Sequence, residues 1–188
     1  MSTLFDQINY EKAYRENRLN AALWVLERPE TLKELLQYGF ANDPDISHKA
    51  NWALEFVCRE KLDLLYPYLD YFFEQLPEVT HHGSVRSLSH ICELLVIANY
   101  KTKDPLLVET FSESHKKTLT ECSFDWMISP QKVACQARAM TCLYYLGTEK
   151  DWIHPELKSI LEANLHQGSA GYQSRGKKIL EKIQKARS

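Results

Sequence analysis

The sequence predicts an all-α fold, and three observations support this prediction. Apolar residues recur at spacings of three and four along nearly the whole chain, as Leu19, Ala22, Leu23 and Leu26 do. The 188 residues contain only six glycines and seven prolines, and these stand apart, mostly where an apolar stripe ends. No segment shows the apolar–polar alternation of a half-buried strand. We therefore expect a series of helices joined by short turns.

Each expected helix combines an apolar stripe with a start or stop signal. In chain order, the helices are expected over 11–28, 29–40, 47–58, 62–75, 81–95, 112–128, 133–146, 155–167 and 172–183. Ser47 and Ser112 are expected as N-caps, and Pro130 and Gly147 as stop signals. A connection is expected over 101–107, where Asp104-Pro105 is a turn signal.

Internal repetition indicates that these helices form stacked hairpins. Shifts of 35 and 84 residues superpose small and apolar positions: Ala50, Ala53 and Phe56 fall first on Val85, Leu88 and Ile91, and then on Ala134, Ala137 and Met140. The paired-helix units begin near residues 30, 62, 113 and 154. Because stacking buries the stripe that a lone hairpin would expose, we expect a right-handed α-α superhelix of four to five hairpins. The whole chain, 1–188, is expected to form a single domain.

Residues 81–95, HHGSVRSLSHICELL, carry the clearest family likeness. Val85-Arg86, followed by Leu88 and Ile91, resembles the second helix of a HEAT repeat. The resemblance implies a HEAT- or armadillo-like α-solenoid over nearly the full length. Such solenoids bind their partners along the concave surface that their inner helices form. It therefore implies a protein or peptide partner for this chain.

A second resemblance concerns a group of small bacterial proteins that often carry the name adenylosuccinate lyase. The similar stretches are Asn51-Trp52-Ala53-Leu54-Glu55-Phe56-Val57-Cys58, Ile91-Cys92-Glu93 and Phe124-Asp125-Trp126. Adenylosuccinate lyases themselves resemble fumarases, with longer subunits and a mobile Ser-Ser-x-Met-Pro-x-Lys-x-Asn loop that supplies a catalytic serine. The nearest string here, Ser129-Pro130-Gln131-Lys132, lacks both Ser-Ser and Met-Pro. The sequence therefore does not support the lyase name, and no catalytic residue is carried over.

Composition and sequence pattern indicate the cellular compartment and limit the kinds of partner that we expect. A net charge of −2 argues against a protein that grips nucleic acid mainly through phosphates, so we expect only weak binding to duplex DNA. No stretch approaches the apolar length of a membrane span, and residues 1–6 lack a signal-peptide pattern, which favours a cytoplasmic protein. The five cysteines are expected as reduced thiols without disulfides, with at least Cys58, Cys92 and Cys142 buried.

Histidines could indicate a metal site, but the pattern is incomplete. His81, His82 and His90 lie near Glu93, and His90 and Glu93 share one helical face. A site would need two more ligands at suitable positions, and the sequence has no HExxH or second His-x-x-Glu. We expect neither a metal nor another cofactor.

Three carboxylates define the enzymatic alternative. Glu55, Glu93 and Asp125 each interrupt an otherwise apolar helical run, where a charge is paired, reaches water or serves as a catalytic acid or base. Trp126 and the other tryptophans are expected in the core, although similar aromatics stack bases in HEAT-like DNA glycosylases. The alternative is an enzyme of nucleotide or nucleic-acid chemistry, with Glu55, Asp125 and nearby tryptophans around a cleft.

A polar row on the inner helices is the preferred candidate site. The 35-residue shift places Asn51 on Arg86 and Glu55 on His90, and in each helix the two positions are four apart. We expect Glu55 to accept a hydrogen bond from Arg86 or His90, with Asn51, Glu55, Arg86 and His90 edging the concave surface. The last helix is basic, which suits a capping repeat or an acidic partner. Taken together, the sequence predicts a non-catalytic binding or scaffold module.

Overall fold

The computed structural model describes residues 2–12 and 14–186, and within them it contains helices and no β-strand. The α-helices of this part of the chain are α1 (Leu4–Ile8), α2 (Arg15–Leu26), α3 (Leu32–Phe40), α4 (Ser47–Glu60), α5 (Leu69–Gln75), α6 (His82–Val96), α7 (Pro105–Thr110), α8 (Glu113–Ile128), α9 (Val133–Leu146), α10 (Ile153–Asn164) and α11 (Ala170–Ala186). Short 3₁₀ segments occur at Pro29–Thr31, Leu62–Tyr68 and Leu76–Glu78, and a π-helical turn, Ile97–Thr102, extends α6. The predicted all-α class is confirmed.

The helices form two layers. The second helices of successive hairpins pack side by side in the order α2, α4, α6, α9, α11, and they make the inner layer. The first helices, α3, α5, α8 and α10, lie outside them, and α3, α8 and α10 pack directly on the inner helix of their own hairpin. This is the arrangement of an all-α solenoid, in which each unit contacts mainly its neighbours.

Local sequence explains some of the helix boundaries. Ser112 caps α8 as predicted, because its hydroxyl accepts from the His115 amide while the His115 ring accepts from the Ser112 amide. Pro67 removes a backbone donor, and the stretch predicted as one helix over 62–75 accordingly starts as the 3₁₀ segment Leu62–Tyr68.

Three predicted boundaries are wrong, and the first is the start of the helix expected over 11–28, since α2 begins at Arg15. Ser47 is the first residue of α4 rather than its N-cap, and its hydroxyl donates to the carbonyl of Tyr38 and accepts from the amide of Asp43. The expected connection at 101–107 contains the start of a helix, since the Asp104 carboxylate caps α7 and Pro105 occupies its first turn.

The core confirms the predicted burial of Cys58, Cys92 and Cys142. All five cysteines are buried and free, and burial raises the pKa of each thiol above its ordinary value. The thiols therefore act as small apolar core groups.

Burial corrects the repeat register. A shift of 34 residues, which carries Cys58 to Cys92, superposes buried positions of α4 and α6: Ala50, Asn51, Ala53, Leu54, Val57 and Cys58 fall on Ser84, Val85, Ser87, Leu88, Ile91 and Cys92. The shift of 35 instead places buried Asn51 on half-buried Arg86, and the shift of 84 places buried Ala50 on exposed Ala134. The sequence-derived register is therefore wrong by one residue for α6.

None of the helices in the described part of the chain is both long and apolar enough to span a membrane.

Candidate functional site

Glu55 anchors a polar network on the inner helices. Its Oε1 accepts from Nδ1 of His90 at 2.7 Å, and its Oε2 accepts from the hydroxyl of Ser87 at 2.7 Å and from Nη2 of Arg86 at 3.3 Å. The Glu55 side chain is only 9% exposed. The contact predicted between Glu55 and the pair Arg86 and His90 is therefore present, and it joins α4 to α6.

The network keeps the buried carboxylate of Glu55 ionised. Burial alone would raise the pKa of Glu55, because a charge is poorly solvated in the interior. Hydrogen bonds from His90 and Ser87, with the charges of Arg86 and Arg138, outweigh burial and lower the pKa below its ordinary value. Glu55 is consequently a fixed negative charge at neutral pH rather than a proton donor.

Arg138 extends the network from α4 and α6 to α9, the next inner helix. Its Nη2 lies 3.9 Å from Oε1 of Glu55, and its Nε lies 4.0 Å from Oε2 of Glu93. Its Nη1 donates to the backbone carbonyl of Arg86. One largely buried guanidinium thus lies between two carboxylates of α4 and α6.

Arg175 connects α11, the last inner helix, to the network. Its Nη1 donates to Oε1 of Glu93 at 2.7 Å and also contacts the hydroxyl of Thr141. Arg175 therefore joins α11 to both α6 and α9. We refer to Glu55, Arg86, His90, Glu93, Arg138 and Arg175 together as the inner polar row.

The inner polar row carries an excess of positive charge. Three guanidiniums face two carboxylates, and the carboxylates are the more buried groups, whereas Arg86 and Arg175 have 34% and 36% of their side chains exposed. The exposed edges of the arginines retain donors that the carboxylates do not occupy. The row can therefore hold an anionic group of a ligand at its surface.

Comparison with known families agrees with this architecture. The model of the HEAT repeat domain family matches residues 11–183. The chain belongs to the HEAT repeat domain family. No curated protein and no solved structure matches the chain. The family accounts for the helical repeat scaffold, and it assigns no role to individual residues of the inner polar row.

Asn51 does not join the row on the HEAT inner helices. Its side chain is fully buried, and its Nδ2 donates to the carbonyl of Gly39 on α3 at 2.8 Å. In the corrected register Asn51 corresponds to Val85, a core position, which explains why it faces the outer helix of its own hairpin. The expectation that it edges the ligand surface is corrected.

The carboxylates of the enzymatic alternative do not converge. Glu93 lies in the inner polar row, but Asp125 is exposed on α8, an outer HEAT helix, and Trp126 beside it is buried in the core. Asp125 lines a cleft to which neither α4 nor α6 contributes a residue. The expectation that Asp125 and Glu55 could surround one cleft is therefore wrong. The expectation that Trp152 lies in the core is also wrong, since 57% of Trp152 is exposed.

Sequence reasoning missed Arg138 and Arg175. Arg138 was detectable, because it is the one charge in α9, an otherwise largely apolar helix, which is the signal that singled out Glu55 and Glu93. Arg175 had no such signal, because it stands among the basic residues of α11 and only the fold brings it to Glu93, 82 residues earlier. Arg187, which the sequence adds to the basic residues of the last helix, lies outside the described residues.

The histidines near the start of α6 have local contacts. His81 is the N-cap of α6, with its Nδ1 accepting from the Ser84 amide, and His82 contacts Gln131. Among the described residues, no group of three or more His, Cys, Asp or Glu is arranged to hold a metal ion.

Proposed function

We propose that the protein is a non-catalytic cytoplasmic binding module whose inner polar row holds an acidic segment of a partner protein. The observation that carries the proposal is the pairing of buried carboxylates with partly exposed guanidiniums, because Arg86 and Arg175 are held in place and still reach solvent. Inner helices of solenoids form their usual ligand surface.

The chemistry of arginine favours a carboxylate-bearing partner. A guanidinium has five donors in a planar fork, and it can bind one carboxylate from inside the protein and a second from a ligand. Glu55 and Glu93 limit the motion of these side chains before any ligand arrives, so less conformational entropy is lost on binding. His90, which is hydrogen-bonded to Glu55, adds a further polar group.

The enzymatic alternative has less support. A catalytic acid or base needs a pKa near the working pH, and the pKa of Glu55 is lowered rather than raised. Asp125, the other carboxylate of that alternative, lies in the outer layer. A binding surface needs neither a carboxyl group with a pKa near the working pH nor two carboxylates in one cleft.

Neutralising the exposed arginines should weaken the binding of an acidic peptide. We expect the double variant Arg86→Gln, Arg175→Gln to bind a fluorescein-labelled peptide of Asp and Glu about ten-fold more weakly than the parent, because charge-assisted hydrogen bonds are lost. Fluorescence anisotropy at low and moderate salt measures the dissociation constant, and thermal melting establishes that the variant remains folded.

The matched control also removes two positive charges, but from exposed residues outside the inner polar row. Lys178 and Lys185 are exposed on α11, and Lys178→Gln with Lys185→Gln should change the affinity by less than about two-fold. Equal weakening by both pairs would show a nonspecific charge effect. Unchanged binding in the arginine pair would exclude the inner polar row as the ligand surface.

A further inference from the structure

A cleft on the outer side of the solenoid has features that the inner polar row does not use. It has a volume of about 800 Å³ and lies between α8, the loop after α9 and the start of α10. Phe124 and Trp152 form one part of its lining, and their rings stack with centroids 5.6 Å apart and an interplanar angle of 23°. More than half of Trp152 faces solvent. A large exposed aromatic in a cleft is a common feature of binding sites.

All but one of the charged residues that line the cleft are paired with each other. Each lysine of the lining pairs with a glutamate of the lining: Lys116 with Glu149 at 2.9 Å, Lys150 with Glu113 at 2.7 Å, and Lys117 with Glu121 at 4.0 Å. The remaining charge, the Asp125 carboxylate next to Phe124, has no hydrogen bond or ion pair among the described residues.

The aromatic end of the cleft is therefore negative. Asp125 directly follows Phe124 in α8 and lies in the last turn of that helix, which ends at Ile128. The free carbonyls of a helix C-terminus add partial negative charge there. The faces of Phe and Trp rings are also negative and attract cations. Carboxylate, helix end and ring faces all favour a positive group.

We propose that this cleft binds an arginine side chain from a partner protein, with the guanidinium against Trp152 and its donors directed to Asp125. Arginine fits better than lysine because its planar group stacks on an aromatic ring and is more weakly hydrated. This proposal is independent of the function proposed for the inner polar row, which attracts the opposite charge.

Titration with a short peptide tests the proposal. The probe is an acetylated, amidated Gly-Arg-Gly peptide, with the uncharged isostere Gly-citrulline-Gly as its partner, and the measurement is the ¹H–¹⁵N shift of the Trp152 indole, assigned with Trp152→Phe. We expect a saturable shift with the arginine peptide and binding at least about ten-fold weaker with the citrulline peptide.

Variants connect the shift to the cleft. Asp125→Asn should weaken the binding of the arginine peptide about ten-fold. Glu156 is an exposed residue of α10 outside the cleft lining, and Glu156→Gln should change the affinity by less than about two-fold. Equal binding of the two peptides, the absence of a saturable shift, or an Asp125→Asn variant that binds like the parent would overturn the proposal. An indole shift that depends on protein concentration without peptide would overturn it in favour of a contact between two copies of the chain.

Discussion

Replacing Glu55 with alanine is expected to lower the free energy of unfolding by about 3 kcal/mol. The substitution removes the acceptor of His90, Ser87 and Arg86 and leaves the largely buried guanidinium of Arg138 with less compensation. Because three inner helices meet at this carboxylate, the loss should appear as a lower midpoint for the whole protein. Urea denaturation followed by circular dichroism measures it.

The acid limb of the stability curve provides a second signature of Glu55. Its pKa is lowered in the folded protein, so its stabilising contribution is complete above its ordinary value of 4.5 and is lost as the pH falls through the lowered pKa. The free energies of unfolding of the parent and of Glu55→Ala should therefore become more similar at acidic pH.

Two further variants serve as controls. Arg86→Ala should cost only about 1 kcal/mol, since a third of Arg86 is exposed and Glu55 keeps its other donors. Glu113→Ala removes an exposed ion-paired carboxylate. It should lower the free energy of unfolding by only a small fraction of the change expected for Glu55→Ala. If Glu55→Ala were no more damaging than Glu113→Ala, the buried network would not join the repeats.

Replacing Gly147 with alanine is expected to destabilise the protein by about 2 kcal/mol. Gly147 follows α9 with ordinary helical backbone angles, so no special conformation requires glycine there. Space requires it, because a β-carbon would overlap the imidazole ring of His154. That ring is buried against α9 and lies 2.8 Å from the carbonyl of Tyr144 through its Nε2, so it cannot move away easily. Thermal denaturation of the variant measures the cost.

Gly171 provides the matched control. A β-carbon there meets only the Cγ1 of Val133, at 3.1 Å, and this side chain is partly exposed and able to shift. Gly171→Ala should therefore stay within about 1 kcal/mol of the parent, because alanine is the better helix former. Equal destabilisation by both variants would show that close packing of His154 is not the reason for glycine at 147.

The all-α class and most helices could be predicted because apolar spacing and proline placement are local signals. The pairing of Glu55 with Arg86 and His90 could also be predicted, although the 35-residue register behind it is wrong by one. Small and apolar residues repeat every three to four positions, so their spacing alone does not distinguish a shift of 34 residues from a shift of 35. The side chain of Glu55 still reaches both partners, because it extends from α4 to α6 and a long side chain tolerates a one-residue error in register.

The remaining site features depend on packing between distant segments. Arg175 is indistinguishable in sequence from the surface cations around it, and its position opposite Glu93 follows from the stacking of α6, α9 and α11. Asp125 has the same local pattern as Glu55, yet it is exposed, because its helix belongs to the outer layer. A one-dimensional apolar pattern does not state which layer a helix joins.

The most direct test of the proposed binding role is to map the acidic peptide onto the protein by ¹H–¹⁵N chemical-shift changes. We expect saturable changes concentrated on α6, α9 and α11, around Arg86, Arg138 and Arg175, and we expect these changes to be lost in the double variant Arg86→Gln, Arg175→Gln. Changes concentrated on the outer helices α8 and α10, or the same changes in the double variant, would contradict the proposed binding role.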